Sequence, residues 1–157
     1  MSASGVFLKK AVLRSKAFKE LTKTEIQIYL EFLLKRKFGE RHGKPGKGPR
    51  DIITNNGQIT FTYAEARKKL NIANQTFQRG LDKLIGVGFM DITRQGKGGI
   101  FENGKITGEA TLFAVSERWI DFKTDLFIKK ERTKDNRKGR GWSAYHAKKK
   151  MVCSGKD

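Results

Sequence analysis

The sequence has little cysteine, little histidine and no long hydrophobic run, and each shortage excludes a class of protein. Its one cysteine, Cys153, excludes an intrachain disulfide and is typical of a reducing compartment. No stretch approaches the roughly 18 apolar residues that a membrane span needs. Lysine and arginine interrupt the apolar residues among the first 16 positions, so this segment is a poor secretory signal. We therefore expect a cytoplasmic protein with no membrane partner.

Residues suited to catalysis or metal binding are also scarce. His42 and His146 lie in basic, loop-like stretches, and neither has a histidine or cysteine partner at metal-binding spacing. Asp91 and Asp121 are isolated carboxylates in the sequence. The glycine-rich residues 39–51 lack the G-x-x-x-x-G-K-S/T spacing of a phosphate-binding loop. The sequence thus predicts no catalytic residue, no metal and no cofactor, and a protein that is not an enzyme.

Positive charge is abundant, and it is unevenly distributed. The net charge is +18, which attracts polyanions such as DNA, RNA or anionic lipid. Residues 1–56 carry 13 Lys/Arg and 5 Asp/Glu, and residues 123–157 carry 12 and 4, so each flank has a net charge of +8. Residues 57–122 carry 9 and 7 and are nearly neutral. This distribution predicts a balanced folded body whose basic periphery grips a polyanion.

A long helix is predicted over residues 23–37. Thr22 and Glu25 have the spacing of a capping box at its start. Apolar residues at helical spacing predict a core-facing stripe. The stripe consists of Ile26, Leu30, Leu33 and Leu34, with Tyr29 beside them.

A tight pair of helices is predicted after a short strand that contains Ile59 and Phe61. Thr62 and Glu65 form a second capping box, and Asn71 suits the left-handed conformation that ends a helix sharply. Asn74 is predicted to cap the second helix. The apolar face of that second helix is predicted to consist of Phe77, Leu81, Leu84 and Ile85. Gly80 within it suggests close packing against the first helix of the pair, or simple tolerance of glycine.

Strands and turns follow the helix pair. "FMDIT" and "ATLFAVS" alternate like strands, and Asn103-Gly104 between apolar residues signals a hairpin. "SERWIDF" is predicted to form a helical turn in which Trp119 closes the core. Apolar residues become sparse beyond residue 122. We therefore predict a domain over residues 1–122 and a basic, flexible tail over residues 123–157.

The order of helices and strands resembles the winged helix-turn-helix family of DNA-binding domains. The resemblance covers roughly residues 22–119 and depends on "FTYAEARKKLNIANQTFQRGLDKLIGVGFMDITRQGKGG" and the returning strand "ATLFAVS". Within that family the chain most resembles domains of bacterial, phage and plasmid regulators and replication initiators. The resemblance implies an α+β fold, in which a helix bundle carries a small antiparallel sheet or wing. The loop after "FMDIT" is longer than a simple wing.

The polar face of the helix that starts near Asn74 is the candidate recognition surface. Its side chains project opposite the apolar face, and a helix of this width fits the DNA major groove. We predict base contacts near its start and phosphate contacts from Lys83 and from the wing. The predicted DNA-binding residues are Asn74, Gln75, Thr76, Gln78, Arg79, Lys83, Arg94, Gln95 and Lys97. Glycines 96, 98 and 99 would let the main chain approach phosphates closely.

These patterns also have other interpretations. The polar face is also consistent with an ordinary solvated helix, the wing with a mobile loop, and the tail with a disordered chain. The expected function is sequence-specific binding of double-stranded DNA in transcription regulation or replication initiation, associated with the nucleoid. The alternatives are non-specific RNA or nucleoid binding and a protein-interaction module. A homodimer is expected because two-fold operators are common for such domains. The helix over residues 23–37 is a candidate interface, unless the monomer core uses its apolar stripe.

Overall fold

The computed structural model describes residues 6–38, 53–96, 100–102 and 105–133, with the backbone alone at 100–102 and 105–107. The glycine-rich basic stretch 39–51, the Asn103-Gly104 pair and residues 134–157 lie outside this description. The described residues form five helices and four strands. The helices are α1 (Lys10–Arg14), α2 (Lys16–Lys19), α3 (Lys23–Leu34), α4 (Tyr63–Leu70) and α5 (Asn74–Gly86). The strands are β1 (Met90–Arg94), β2 (Ile100–Glu102), β3 (Lys105–Thr107) and β4 (Leu112–Val115).

The predicted α+β class is confirmed by these helices and by small antiparallel ladders. Within the described ranges, no helix combines the length and the apolar character that crossing a bilayer requires. A short 3-10 helix, Arg118–Asp121, follows β4 where a helical turn was predicted. Its Trp119 is half-buried, and its ring stacks on Phe89 with centroids 5.8 Å apart.

Helix α3 begins as predicted and ends earlier than predicted. Its start is fixed by the Thr22 N–H, which donates to Glu25 Oε2 at 2.6 Å. The helix ends at Leu34 rather than at Lys37. The reason is that the Lys37 backbone is engaged elsewhere: its N–H donates to Asn55 Oδ1 at 2.8 Å and its carbonyl accepts from the Thr54 N–H at 2.9 Å.

The buried side of α3 is rotated from the predicted stripe. The residues buried on this helix are Ile28, Tyr29, Phe32 and Leu33. Ile26 and Leu30 are only partly buried, and Leu34 is 47% exposed. The prediction was wrong about the side because α3 is apolar around more than half of its circumference. Periodicity alone did not indicate which side meets the core. Of the apolar stripe expected at a homodimer interface, only Leu33 is buried in the monomer core.

The strands form one antiparallel arm in two sections. Strand β1 pairs with β4 through Met90↔Val115, and β2 pairs with β3 through Ile100↔Thr107. The register advances by one residue at a bulge between Ile92 and Arg94, and by one more between the two ladders. The predicted strand around Ile59 is reduced to a single bridge with Phe113, on the other edge of β4. The ladder at β2 and β3 confirms the predicted hairpin.

Aromatic rings join these elements into one core. Phe32 of α3 meets Phe61 and Phe113 edge-on, with centroids 5.4 and 5.1 Å apart. Phe89, which directly precedes β1, packs on Tyr29 at 4.9 Å and is fully buried. Because the core lies between α3, α5 and the base of the arm, it fixes the orientation of α5.

Candidate nucleic-acid interface

The turn between α4 and α5 determines how α5 leaves the domain. Asn71 adopts φ 53° and ψ 42°, the predicted left-handed stop, and its N–H donates to the Arg67 carbonyl. Ile72 is half-buried and packs against the core. Helix α5 then begins at Asn74, so the connection is only three residues long.

Asn74 does not cap α5, and that prediction was wrong. The N-cap residue is Ala73, which provides no side-chain cap, and Asn74 is the first helical residue. Its side-chain oxygen accepts a hydrogen bond from Arg67 Nη2 at 3.1 Å. The Asn74 side chain therefore joins the two helices at the tight turn.

The inward face of α5 is confirmed. Its predicted apolar residues are all buried, with exposed fractions of 3% or less: Phe77, Leu81, Leu84 and Ile85. The Phe77 ring contacts Phe61 and Tyr63 edge-on, at centroid distances of 5.1 and 5.4 Å. This packing leaves the opposite side of the helix to face solvent.

Gly80 permits a close approach, but its neighbour is α3 rather than α4. A Cβ atom at position 80 would lie 2.5 Å from Ile28 Cδ1 and 3.8 Å from Glu25 Cγ. No real side chain tolerates the shorter distance without movement of its neighbour. The expected close packing is present, and its partner was predicted wrongly, because periodicity does not identify which helix lies opposite a glycine.

The outward face of α5 presents the predicted polar side chains. Exposed residues at its first two turns are Asn74, Gln75, Thr76, Gln78 and Arg79. Thr76 and Arg79 also line an open groove against the start of α3, opposite Thr22, Thr24 and Glu25. The first two turns of α5, which directly follow the tight turn, thus expose hydrogen-bonding groups to solvent.

Two charged residues later in α5 have partners within the protein. Lys83 is half-buried, and its Nζ lies 3.7 Å from Glu20 Oε2. Asp82 accepts a hydrogen bond from Arg132 Nε at 2.7 Å. The Lys83 charge is therefore partly balanced within the fold, which weakens it as a phosphate ligand relative to Arg79.

The arm carries the remaining predicted residues. Arg94 and Gln95 are exposed, and Arg94 Nη2 lies 4.0 Å from Glu109 Oε2. Lys97, Gly98 and Gly99 lie outside the described residues. A Cβ atom at Gly96 would lie 2.4 Å from the Glu109 carbonyl oxygen and 2.6 Å from the Thr111 nitrogen. The close approach at Gly96 is thus to the connection between β3 and β4, which differs from the predicted approach to a phosphate.

Arg118 joins several elements behind α5, and its role was not predicted. Its Nη2 donates to Asp91 Oδ1 at 2.6 Å and to the Ile85 carbonyl at 3.0 Å, near the end of α5. Its Nη1 donates to the Ile128 carbonyl at 2.7 Å. Asp91, taken in the sequence for an isolated carboxylate, also lies 3.2 Å from Lys130. No local spacing signals this cluster, because Arg118 and Asp91 are 27 residues apart.

The Asp91 carboxylate is held in its charged form. Partial burial would raise its pKa, but the hydrogen bonds and charges of Arg118 and Lys130 outweigh that effect and lower the pKa below its ordinary value. The network therefore ties β1, the 3-10 helix and the segment after it through one carboxylate.

In the described part of the chain, no group of three or more His, Cys, Asp or Glu residues could hold a metal ion. No protein-family model matches this chain, and the comparisons with curated proteins and with solved structures give no match either.

Proposed function

We propose that this chain is a sequence-specific double-stranded DNA-binding protein of winged helix-turn-helix type. Helices α4 and α5 would be the helix-turn-helix, and the arm of β1–β4 would be the wing. In this proposal α5 enters the major groove, and the wing and the basic flanks hold phosphates. The role would be regulation of transcription or of replication initiation at the nucleoid.

The exposed start of α5 is the observation that carries this proposal. Gln75, Gln78 and Arg79 face solvent from a helix whose other side is fixed in the core. Arginine can pair with guanine O6 and N7, and glutamine with adenine N6 and N7, each through two hydrogen bonds. A rigid helix that presents these groups after a three-residue turn suits base recognition.

The charge distribution favours the same class of ligand. Residues 1–56 and 123–157 carry most of the net charge of +18, whereas residues 57–122 are nearly neutral. Contacts of lysine and arginine with phosphates release condensed counterions and give sequence-independent affinity. The basic flanks would thus supply affinity, and α5 would supply discrimination between sequences.

Selection of bound sequences from a random duplex pool tests the proposal. We expect a preferred site whose binding survives excess random duplex at about 200 mM salt. Binding that collapses in that competition would instead indicate a non-specific RNA or nucleoid-binding protein. A palindromic site would indicate that two copies bind together.

Arg79→Ala tests the role of α5 itself. We expect it to weaken binding to the preferred duplex by about 1–3 kcal/mol and to relax the preference at one position. Arg14→Ala is the control for charge alone: it removes the same charge from an exposed position on α1, in the basic flank, so it should lower affinity for all duplexes alike and leave the sequence preference unchanged. If Arg79→Ala left duplex affinity and preference unchanged, α5 would be an ordinary solvated helix or a protein-docking surface.

A further inference from the structure

The chain after the 3-10 helix lies back on the domain and reaches α5. The Ile128 carbonyl accepts a hydrogen bond from Arg118 Nη1 at 2.7 Å, and Lys130 Nζ lies 3.2 Å from Asp91 Oδ2. These contacts hold residues 123–133, the start of the segment predicted as a flexible tail, against the domain.

Near the end of this path, Arg132 contacts Asp82, the only carboxylate in the sequence of α5. Its Nε donates to Asp82 Oδ1 at 2.7 Å, and its Nη2 donates to Oδ2 at 3.4 Å, so the guanidinium bonds to both carboxylate oxygens. The Arg132 side chain is 16% exposed, whereas the Asp82 side chain is 48% exposed. Arg132 therefore orients the Asp82 carboxylate, while part of the Asp82 side chain still faces solvent.

Asp82 lies on the polar side of α5 together with the candidate base-reading residues. An α-helix has about 3.6 residues per turn, so Asp82 lies almost two full turns beyond Gln75 and points in nearly the same direction. Its Cα lies about 10 Å further along the helix axis, which is the spacing of about three base pairs. Asp82 is therefore placed to meet the same groove as Gln75, about three base pairs away.

An ionised carboxylate in the major groove can only accept hydrogen bonds, and this restricts the base that it can read. Cytosine offers its N4 amino group as a donor. Guanine and thymine present acceptors that would repel the carboxylate, and adenine places its N7 acceptor beside its N6 donor. Each carboxylate oxygen has two lone-pair sites and uses one for Arg132, so both oxygens of Asp82 can still accept. The oriented carboxylate thus suits cytosine better than the other three bases.

The contact with Arg132 also keeps Arg79 available to a ligand. Asp82 lies three residues after Arg79, a spacing at which opposite charges on a helix attract each other. The carboxylate instead contacts Arg132, and within the described ranges Arg79 takes part in no ion pair. Arg132 also balances a negative charge that would otherwise repel the phosphates of a bound duplex. An arginine from outside α5 thus orients Asp82 and leaves the arginine within α5 able to bind a base.

We propose that Asp82 is a further base-reading side chain of α5, which accepts a hydrogen bond from cytosine N4, and that Arg132 is the positioning residue that orients it. The preferred duplex would then carry a G·C pair about three base pairs from the pair that Gln75 reads. This inference rests on the proposed function, because it requires α5 to lie in the major groove.

The base preferences of the native and Asp82→Asn chains test the inference. The probe is a random duplex pool, and the measurement is the base preference at each position of the selected site. We expect a cytosine in the native site, about three base pairs from the position whose preference is lost in the Gln75→Ala chain. In the site selected by Asp82→Asn we expect adenine at that position, because an asparagine amide can pair with both adenine N6 and N7. An unchanged profile in the Asp82→Asn chain would overturn the inference.

Affinities for two matched duplexes separate base reading from charge and from folding. The duplexes differ only in having cytosine or adenine at this position. The native chain should prefer the cytosine duplex by about fivefold or more, and Asp82→Asn should reverse the order, which a loss of folded protein cannot do. Asp125→Asn makes the same charge change at an exposed position outside α5 and should keep the native order. If Asp82→Asn strengthened binding to both duplexes equally, Asp82 would act only as a repelling charge and the inference would be wrong.

Arg132→Gln tests the positioning role. We expect the ratio of the affinities for the cytosine and adenine duplexes to fall at least about twofold, because Asp82 loses the contact that orients it. Arg132→Lys keeps the charge but not the two-point contact, and it should lower the ratio as well. Lys129→Gln is the control, since it removes a charge from a lysine paired with Glu131 and should weaken binding to both duplexes equally. An unchanged ratio in Arg132→Gln would show that Arg132 does not position Asp82.

Failure of this inference and failure of the proposed function give different results. A native profile with preferred bases, none of which changes in the Asp82→Asn chain, would contradict the role of Asp82 alone. A native profile with no preference at any position would contradict sequence-specific recognition, and the role of Asp82 with it.

Discussion

Helix α5 and residues 123–133, the C-terminal strap, lie against the same domain, and different forces hold them there. The inner face of α5 is held by buried apolar side chains such as Phe77 and Leu84. The strap is held mainly by charged contacts, in which the Lys123 and Lys130 side chains are 55% and 51% exposed. Salt screens exposed ion pairs, whereas apolar burial involves no charge that could be screened. The candidate recognition helix should thus keep its orientation under conditions that release the strap.

Arg118 marks the junction between these two regions. Its side chain is 15% exposed, and it bonds to the end of α5, to β1 and to the strap. It therefore has features of both regions: the low exposure of the core and the charge of the strap. Substitutions in the core, at the junction and in the strap should have effects that decrease in that order.

The largest effect is expected from Phe77→Ala. Removing a buried phenyl ring that contacts Phe61 and Tyr63 should lower the free energy of unfolding by about 3–5 kcal/mol. Urea unfolding at low and high salt measures the loss, which should be the same at both. Phe7→Ala is the control, because the Phe7 side chain is 81% exposed and its removal should change little. A loss below about 1 kcal/mol would contradict the packing described for α5.

An intermediate effect is expected from Arg118→Ala, about 1–3 kcal/mol, because it removes the Arg118 hydrogen bonds to Asp91 and to several carbonyl groups and leaves Lys130 as the remaining cation beside Asp91. The substitution should also change the dependence on pH. The folded-state pKa of Asp91 is lowered, so its contribution to stability is present above the unfolded value of about 3.9. That contribution disappears as the pH falls through the lower, folded-state pKa.

Urea midpoints measured from neutral to acidic pH test this junction. In the acidic range the free energy of unfolding of the native chain should fall as the Asp91 contribution disappears. The corresponding fall in the Arg118→Ala chain should be smaller. Asp91→Asn should reproduce the reduced pH dependence. Parallel pH profiles for the native and Arg118→Ala chains would show that Arg118 does not lower the pKa of Asp91.

The smallest effect is expected from Lys130→Gln in the strap. Half-exposed ion pairs contribute little, so the free energy of unfolding should fall by less than about 1 kcal/mol at low salt. The difference from the native chain should shrink further at high salt. A salt-independent loss as large as that of Phe77→Ala would mean that the strap belongs to the core, and the contrast between the regions would disappear.

Local features of the fold were predictable from sequence because they depend on neighbouring residues. The inner face of α5 follows from apolar spacing, the stop at Asn71 from its left-handed conformation, and the hairpin from the Asn103-Gly104 pair. The end of α3 and its buried side were not predictable. They depend on Asn55 and on α5, which are distant in the sequence.

The candidate site likewise has features that could be predicted from the sequence and features that could not. The exposed polar residues at the start of α5 follow from its amphipathic pattern, so Gln75 and Arg79 could be identified in advance. The contacts that Asp82 makes with Arg132, and Lys83 with Glu20, join residues 50 or more positions apart. No periodicity encodes such pairs. The sequence alone thus identified which residues face outward and not which of them already have partners.

The close approach at Gly80 constrains how this protein can vary. Because Ile28 Cδ1 occupies the space that a Cβ atom at position 80 would need, any side chain at position 80 requires the Ile28 side chain to move. Because Ile28 is fully buried, we expect alanine or serine at position 80 to be better tolerated together with a shorter side chain at position 28. Paired substitution at these two positions would show that close packing of α5 on α3 is retained in related chains.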